Sequence, residues 1–135
     1  MVIAVDAHRI AYMAVPKAAC SSVKAALAGL DPGVSADTIA RFETDIMAVH
    51  RLYPTRRYHP GRWRRHDSWF RFTVVRDPLK RMLSVWTDLI AGRRILHDST
   101  NFQQGRAPLP QDPDPDTFYL RLDDYMHWAS AVKHH

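Results

Sequence analysis

The order of apolar and polar positions predicts strands that lead into helices. Two short apolar runs, Val2 to Val5 and Ile10 to Val15, are separated by the four residues 6–9, which predicts two strands joined by a tight turn. From Ser21 the apolar period becomes helical, and it ends at Asp31-Pro32-Gly33. The predicted inner face of this first helix consists of Val23, Ala26, Leu27 and Leu30. A strand, a short loop and a helix with hydroxyls at its start are typical of an anion site.

A second helix is predicted from Ala36 to about His50. Prolines and a glycine interrupt any period from Arg51 to Asp67, which predicts an exposed basic loop. Aromatic and β-branched residues favour a strand from Trp69 to Val75. After it, Asp77 can cap a helix that has Pro78 in its first position and runs to about Ala91. The predicted inner face of the second helix consists of Ile39, Phe42, Ile46 and Val49.

The last third of the chain shows less periodicity of apolar and polar positions. Residues Gly92 to Asp116 contain four prolines and are predicted to form a long loop. Phe118 to Val132 is predicted to be the last helix. The side chains that it is expected to bury are Phe118, Leu122, Tyr125 and Trp128. Because strands alternate with helices, we expect an α/β fold whose mostly parallel sheet is flanked by helices.

Composition limits the class of protein. The 135 residues suffice for one hydrophobic core, so a single domain over residues 1–135 is expected. Hydrophobic residues at 46% and charged residues at 24% are typical of globular proteins and argue against a disordered or fibrous chain. Charges at Asp6, His8 and Arg9 interrupt the apolar N-terminal stretch, so no spanning helix is expected. The lone Cys20 cannot form an internal disulfide, which favours a reducing interior.

The charge is positive and unevenly distributed. Lysine and arginine number 19 against 14 acidic residues, giving +5. Between Arg41 and Arg81 there are eleven basic and four acidic residues. A basic centre indicates an anionic partner, which on charge alone is a nucleic acid, a phosphorylated or sulfated nucleotide, or an acidic polymer.

Two segments carry candidate chemistry. In Lys17-Ala18-Ala19-Cys20-Ser21-Ser22, a lysine, two hydroxyls and the N–H groups that begin a helix can together hold a terminal phosphate. No glycine lies between Pro16 and Ala28, which excludes the glycine-rich loop of nucleoside-triphosphate hydrolases. In the second segment Arg76 ends a predicted strand and Ser84 follows eight residues later, so both can hold one phosphate.

In this order, the two segments resemble those of sulfotransferases that use 3′-phosphoadenosine 5′-phosphosulfate (PAPS), particularly the membrane-type carbohydrate sulfotransferases of family 2. Val15-Pro16 and the six residues after them resemble the 5′-phosphosulfate loop, and Val75-Arg76-Asp77-Pro78 through Ser84 resembles the 3′-phosphate motif. The resemblance implies a P-loop-like three-layer fold and PAPS as co-substrate, without a metal. The residues that it implies for nucleotide binding are Lys17, Ala18, Ala19, Cys20, Ser21, Ser22, Arg76 and Ser84.

The resemblance also implies two catalytic roles. Lys17 is expected to meet the charge that develops on the bridging oxygen of the leaving phosphate. The family commonly uses a histidine or glutamate between the two motifs as general base, and His50, at the end of a predicted helix, is the preferred candidate. His59, His66 and Glu43 are the other candidates.

The implied partners are the nucleotide and a hydroxyl acceptor, a carbohydrate or a small metabolite, without a nucleic acid or a membrane segment. Trp63 of the predicted basic loop is a candidate substrate platform. The arginines of this loop can bind an acidic or sulfated acceptor, and they are Arg56, Arg57, Arg62, Arg64 and Arg65. The resemblance implies further C-terminal elements, so the chain is expected to lack the family's usual C-terminal portion. A cytoplasmic location is expected, and a homo-oligomer is left open.

Two alternatives remain open at this point. One is a catalytically inactive relative that keeps a nucleotide or polyanion site. The other is a nucleic-acid module that uses the basic loop, with Tyr53, Tyr58 and Trp63 as stacking partners.

Overall fold

The computed structural model of the protein describes residues 2–55 and 59–134. The chain divides into two compact units, Met1–Val75 and Arg76–His135. The first unit contains the sheet, and the described part of the second unit is helical. The single domain over residues 1–135 stays a prediction.

The sheet consists of three strands in the order β1-β2-β3 among the described residues. The strands are β1 (Val2–Val5), β2 (Ile10–Met13) and β3 (Phe70–Thr73). β1 runs antiparallel to β2, with Val2 opposite Met13, and β3 runs parallel to β2, with Phe70 opposite Ile10. The prediction of an α/β protein is therefore confirmed, and that of a mostly parallel sheet is wrong.

The short connection between β1 and β2 explains the antiparallel pair. A 3₁₀ turn at Asp6–His8 and a left-handed Arg9, with φ of 50°, reverse the chain within four residues. A parallel pair needs a crossover of a dozen or more residues, so only β2 and β3 can form one. Arg9 also positions β3, because its carbonyl accepts from the Phe70 N–H at 2.9 Å and its guanidinium donates to Ser68 Oγ at 3.0 Å.

Short helices make up most of the remaining regular structure. Those of the first unit are α1 (Cys20–Leu30), α2 (Ala36–Thr44), α3 (Val49–Leu52) and α4 (Pro60–Arg64), with a 3₁₀ turn at Ile46–Ala48. Those of the second unit are α5 (Pro78–Val85), a π-helical segment at Trp86–Gly92, α6 (Thr100–Gln103), α7 (Pro115–Leu120), α8 (Leu122–Trp128) and a 3₁₀ segment at Ser130–His134.

The core of the first unit lies between the sheet and its helices. The side chains of β1 alternate between partly exposed and buried, as expected for a strand with one covered face. On β2, Tyr12 is fully buried and stacks on Phe72 of β3, with ring centroids 5.0 Å apart. The helix α1 packs against β1, α2 and α3. The buried cluster comprises Ile3, Val5, Tyr12, Leu27, Ala28, Phe42, Ala48, Val49 and Tyr53.

The inner face of α1 differs from the predicted one. Lys24, Leu27 and Ala28 are buried, whereas the predicted Ala26 and Leu30 are exposed and Val23 is half-buried. The apolar period placed Lys24 outside the core because a charged side chain is rarely buried without partners. The partners of Lys24 come from residues distant in sequence, so local periodicity could not reveal them.

The predicted helix from Ala36 to His50 is interrupted. At Asp45 the chain leaves α2, and the Asp45 carboxylate accepts from the Met47 N–H at 3.0 Å to start the 3₁₀ turn. Local side-chain bonds of aspartate compete with helical ones, which explains the break. Phe42 and Val49 are buried as predicted, and Ile46 is 42% exposed. The predicted basic loop also contains α4, which begins with Pro60.

The second unit has its own apolar core. It comprises Leu89, Ile90, Leu96, Phe102, Leu109, Phe118, Tyr125, Ala129 and Val132. The predicted last helix is broken at Arg121 into α7 and α8, although Phe118 and Tyr125 are fully buried as predicted. The proline-rich segment is held in place, because the Trp86 indole N–H donates to the Pro113 carbonyl and the Tyr125 hydroxyl to the Pro110 carbonyl, both at 3.0 Å.

The buried Tyr12 hydroxyl should make the first unit sensitive to alkaline pH. This hydroxyl has no hydrogen-bond partner among the described residues. Burial, and then the negative charge of Cys20, raises the pKa of Tyr12 from 10.0 to about 12. The unfolded chain therefore ionises at Tyr12 before the native protein does, and stability falls as pH rises from 10 towards 12. In Tyr12→Phe the free energy of unfolding should fall by roughly 2 to 3 kcal/mol less over this pH range.

Urea unfolding of both proteins at several pH values checks this expectation. At pH 7 Tyr12→Phe should be within about 1 kcal/mol of the parent, because the hydroxyl has no close hydrogen-bond partner among the described residues and the Val15 backbone contributes only a weak contact. Tyr53→Phe is the matched control. It deletes a hydroxyl that donates to Asp31 Oδ2 at 2.9 Å, and it should cost about 1 kcal/mol at pH 7. A Tyr12→Phe protein that is clearly less stable than the parent at pH 7 would contradict the expectation.

Candidate anion site at the start of the first helix

A loop without glycine connects β2 to α1. The Ala18 N–H donates to the Val15 carbonyl at 3.3 Å, which closes a turn in the loop. Lys17 and Ala19 both adopt left-handed backbone conformations, with φ of 61° and 58°. This region costs a non-glycine residue of the order of 1 kcal/mol, and such strain concentrates at functional sites.

The helix that follows begins without a side-chain cap. Its N-cap residue is Ala19, whose side chain offers no acceptor. The N–H of Val23 donates to the Ala19 carbonyl at 3.0 Å as the first bond of the helix. The preceding N–H groups of Cys20, Ser21 and Ser22 have no acceptor within the helix, and they lie at the positive end of its dipole. This end of α1 is therefore suited to an anion.

A polar network around the buried Lys24 lies beside these N–H groups, with Ser21 and His50 half-buried and Thr55 exposed. His50 Nε2 is 2.7 Å from Ser21 Oγ, and His50 Nδ1 is 3.0 Å from Lys24 Nζ. Lys24 also donates to Thr55 Oγ1 at 2.6 Å, and its side chain is fully buried. Burial lowers the pKa of Lys24, and the negative charge of Cys20 opposes this effect. The network joins the first turn of α1 to α3 and to the segment that follows α3.

The predicted phosphosulfate residues differ in accessibility. Ser22 and Ala19 are exposed, whereas Lys17, Cys20 and Ser21 are half-buried. Ala18 is 2% exposed, and the turn already uses its N–H group. The polar side chains of the loop that keep exposed surface are therefore those of Lys17, Ser21 and Ser22. Their role in nucleotide binding stays a prediction.

The second predicted motif begins the second unit. Arg76 is exposed, and Ser84 is half-buried on α5. As predicted, Asp77 caps α5 by accepting from the Lys80 N–H at 2.9 Å, and Pro78 is in the first turn. Because the Asp77 carboxylate occupies the start of α5, an anion here would be bound by side chains such as those of Arg76 and Ser84 and not by the helix amides.

The other candidate bases lie elsewhere in the first unit. Glu43 and His59 are exposed. His66 packs on Trp69, with ring centroids 4.6 Å apart, and its Nδ1 has no partner among the described residues. Of the four candidates, His50 is the one for which the structure shows a contact with the predicted phosphosulfate loop.

The predicted acceptor-binding loop is described in part. Arg56, Arg57 and Tyr58 lie outside the described residues. On α4 the arginines Arg62, Arg64 and Arg65, the last at its C-cap, are exposed. The Arg71 guanidinium lies 5.1 Å from the centre of the Trp63 ring, so a cation already contacts the aromatic platform that the sequence suggested.

Sequence reasoning missed Lys24 and Thr55. The sequence did carry a signal, since Lys24 lies three residues before Leu27 and three after Ser21, on the side of α1 that contains both. Thr55 had none, because it follows Pro54 in a segment without a period.

The described residues contain neither a cluster of metal-ligating side chains nor a membrane-spanning helix. Within residues 2–55 and 59–134, no group of three or more His, Cys, Asp or Glu side chains could hold a metal ion. Over the same residues, no helix combines the length and the apolar character needed to cross a membrane.

A strand, a strained loop and an uncapped helix are the arrangement that α/β proteins use to hold phosphate groups. The comparison with known families agrees with a phosphate-binding protein, because the model of the sulfotransferase family matches residues 1–131. The chain belongs to the sulfotransferase family, which confirms the resemblance to family 2 members. No curated protein and no solved structure matches the chain.

The strain at Ala19 gives a stability prediction. Ala19→Gly should stabilise the protein by about 0.5 to 1 kcal/mol, because glycine adopts the left-handed conformation without strain. Ala26→Gly is the matched control on the exposed side of the same helix, and it should destabilise by a similar amount. Denaturant unfolding at neutral pH measures both. Equal destabilisation by the two substitutions would show that the backbone at Ala19 is not strained.

Proposed function

We propose that this member of the sulfotransferase family transfers a sulfuryl group from PAPS to the hydroxyl of a carbohydrate or small metabolite. The observation that carries the proposal is the start of α1, where a strained loop leads to amides that have no acceptor within the helix and to a serine in contact with His50. The family match over residues 1–131 supports a transferase of this class. The P-loop-like three-layer arrangement and the cytoplasmic location belong to the same proposal.

The residues present at the loop fit the 5′-phosphosulfate. An anion there would accept from the first amides of α1 and from the hydroxyls of Ser21 and Ser22, and Lys17 would supply a positive charge. The preceding β2 fixes one end of the loop, and the packing of α1 against the sheet fixes the other. Such preorganisation holds the donors in place before the ligand arrives.

The 3′-phosphate is assigned to Arg76 and Ser84. Arginine suits a phosphate because its planar guanidinium can donate two parallel hydrogen bonds. The Asp77 cap and Pro78 define where α5 begins, and so they set the backbone from which Arg76 extends. A nucleotide with a 3′-phosphate would thus be distinguished from one without it.

When bound, PAPS supplies the sulfuryl group, which forms a bond to the acceptor oxygen as the bond to the bridging phosphate oxygen breaks. Lys17 is proposed to stabilise the negative charge on that bridging oxygen. The acceptor's proton must pass to a base. His50 stays the predicted base; its contact with Ser21 supports a place at the site, and both of its ring nitrogens have protein partners.

The test of nucleotide recognition is a calorimetric titration with adenosine 3′,5′-bisphosphate, with AMP and ATP for comparison. The parent should prefer the bisphosphate. Arg76→Ala should bind it more than tenfold more weakly, because a charge-assisted contact with the 3′-phosphate is lost. The affinity for AMP should not change, since AMP has no 3′-phosphate.

Arg106→Ala is the matched control, because it removes an exposed arginine of the same unit that lies outside the motif. It should leave both affinities unchanged. A parent without preference for the bisphosphate would refute the proposed co-substrate. Tight binding without any turnover would instead identify an inactive relative.

The test of catalysis is the release of adenosine 3′,5′-bisphosphate from PAPS in the presence of a panel of hydroxyl acceptors. Lys17→Ala should lower the turnover number about 100-fold or more, as expected when a donor to the developing charge is removed. Arg106→Ala, which removes an exposed cation outside both motifs, is the control and should retain the parent's turnover. If Lys17→Ala kept the parent's rate, Lys17 would have no catalytic role.

A further inference from the structure

Lys24 lies next to the candidate anion site, and its hydrogen-bond partners determine how the neighbouring groups of that site can bond. Its side chain is fully buried in α1. Removing an ammonium group from water is strongly destabilising unless hydrogen-bond partners compensate for its lost hydration. The structure shows two such contacts, with His50 Nδ1 at 3.0 Å and Thr55 Oγ1 at 2.6 Å.

The contact with Lys24 decides where the proton of His50 lies. An ammonium group has three N–H donors and no acceptor, so His50 Nδ1 must offer its lone pair. A neutral imidazole that accepts at Nδ1 carries its hydrogen on Nε2. His50 Nε2 is 2.7 Å from Ser21 Oγ, so His50 donates and Ser21 accepts. The reverse arrangement would require Lys24 to be an uncharged amine.

The direction of this bond decides what Ser21 can do. The Ser21 hydroxyl has one hydrogen, and that hydrogen does not point to His50 when His50 is the donor. Ser21 lies in the first turn of α1, beside amides that have no acceptor within the helix. Its hydrogen is therefore available to the same anion as these amides. Successive bonds in one direction polarise each other, so each donor strengthens the next.

We propose that Lys24 is a positioning residue that acts through His50 to make the Ser21 hydroxyl a donor to the 5′-phosphate group of the nucleotide. This inference rests on the proposed function, since it takes the nucleotide as the anion. In this arrangement neither ring nitrogen of His50 has a lone pair for the proton of an acceptor. A His50 that acted as the base would instead need a ring nitrogen with a free lone pair.

The first experiment reads the tautomer directly. Long-range ¹H–¹⁵N correlation spectra of the full chain distinguish the two neutral forms of a histidine, and His50→Gln identifies the signals of His50. The parent should show the form with hydrogen on Nε2. Lys24→Met, which replaces the ammonium by an apolar chain of similar length, should lose that preference. Thr55→Val is the control, because it removes the other acceptor of Lys24 and should keep the parent's form.

The second experiment measures coupling to the ligand, with adenosine 3′,5′-bisphosphate as the probe. Lys24→Met and Ser21→Ala should each weaken binding roughly five- to tenfold, because the same donor is misdirected or removed. The double variant should bind no more weakly than Ser21→Ala alone. His50→Gln should also weaken binding, whereas a residue that acts only as a base would leave affinity unchanged.

The outcomes separate the inference from the proposed function. A parent that shows no preference for the bisphosphate refutes the proposed function and the inference with it. If the parent binds it, the inference alone is overturned by Lys24→Met binding equally well, by losses that add in the double variant, or by a parent with the hydrogen on Nδ1. Should Lys24→Met fail to fold, the parent's spectrum and the His50→Gln affinity still decide the question.

Discussion

A buried ammonium group must be surrounded by acceptors, and in the first unit this requirement joins three segments. Lys24 lies on α1, His50 on α3, and Thr55 in the segment after α3. Loss of either partner would leave the ammonium group with a single acceptor in the interior. The network therefore fixes how α1 and α3 pack, and it fixes Ser21 at the same time because His50 contacts both Lys24 and Ser21.

The two helices that follow the motifs begin in different ways. The start of α5 is closed by the carboxylate of Asp77, whereas α1 begins at a left-handed Ala19 that offers no acceptor. An uncapped helix start has lower stability than a capped one, typically by about 1 kcal/mol. Leaving this end of α1 without a cap keeps its amides available. The loss in stability and the capacity to hold an anion thus have the same structural origin.

Local sequence determined the elements and several of their boundaries. The strands, the turn after β1, the cap of α5 by Asp77 and the start of α1 near Ser21 follow from apolar periods, prolines and capping residues, which act over a few neighbouring positions. The two motifs, taken as a resemblance, also indicated the family that the comparison shows. Breaks at Asp45 and Arg121 were not predicted, because the apolar period continues across them.

Tertiary structure decided which residues meet at the site. The sequence placed Lys24 on a helix and His50 29 residues after Ser21, and it contained no information on the contacts among them. Those contacts exist because Lys24 lies on the inner face of α1, which packs against α3, where His50 Nδ1 accepts from the ammonium group. A local pattern records what each side chain prefers on average. The direction of a hydrogen bond between distant residues depends on which groups the folded chain brings within 3 Å of one another.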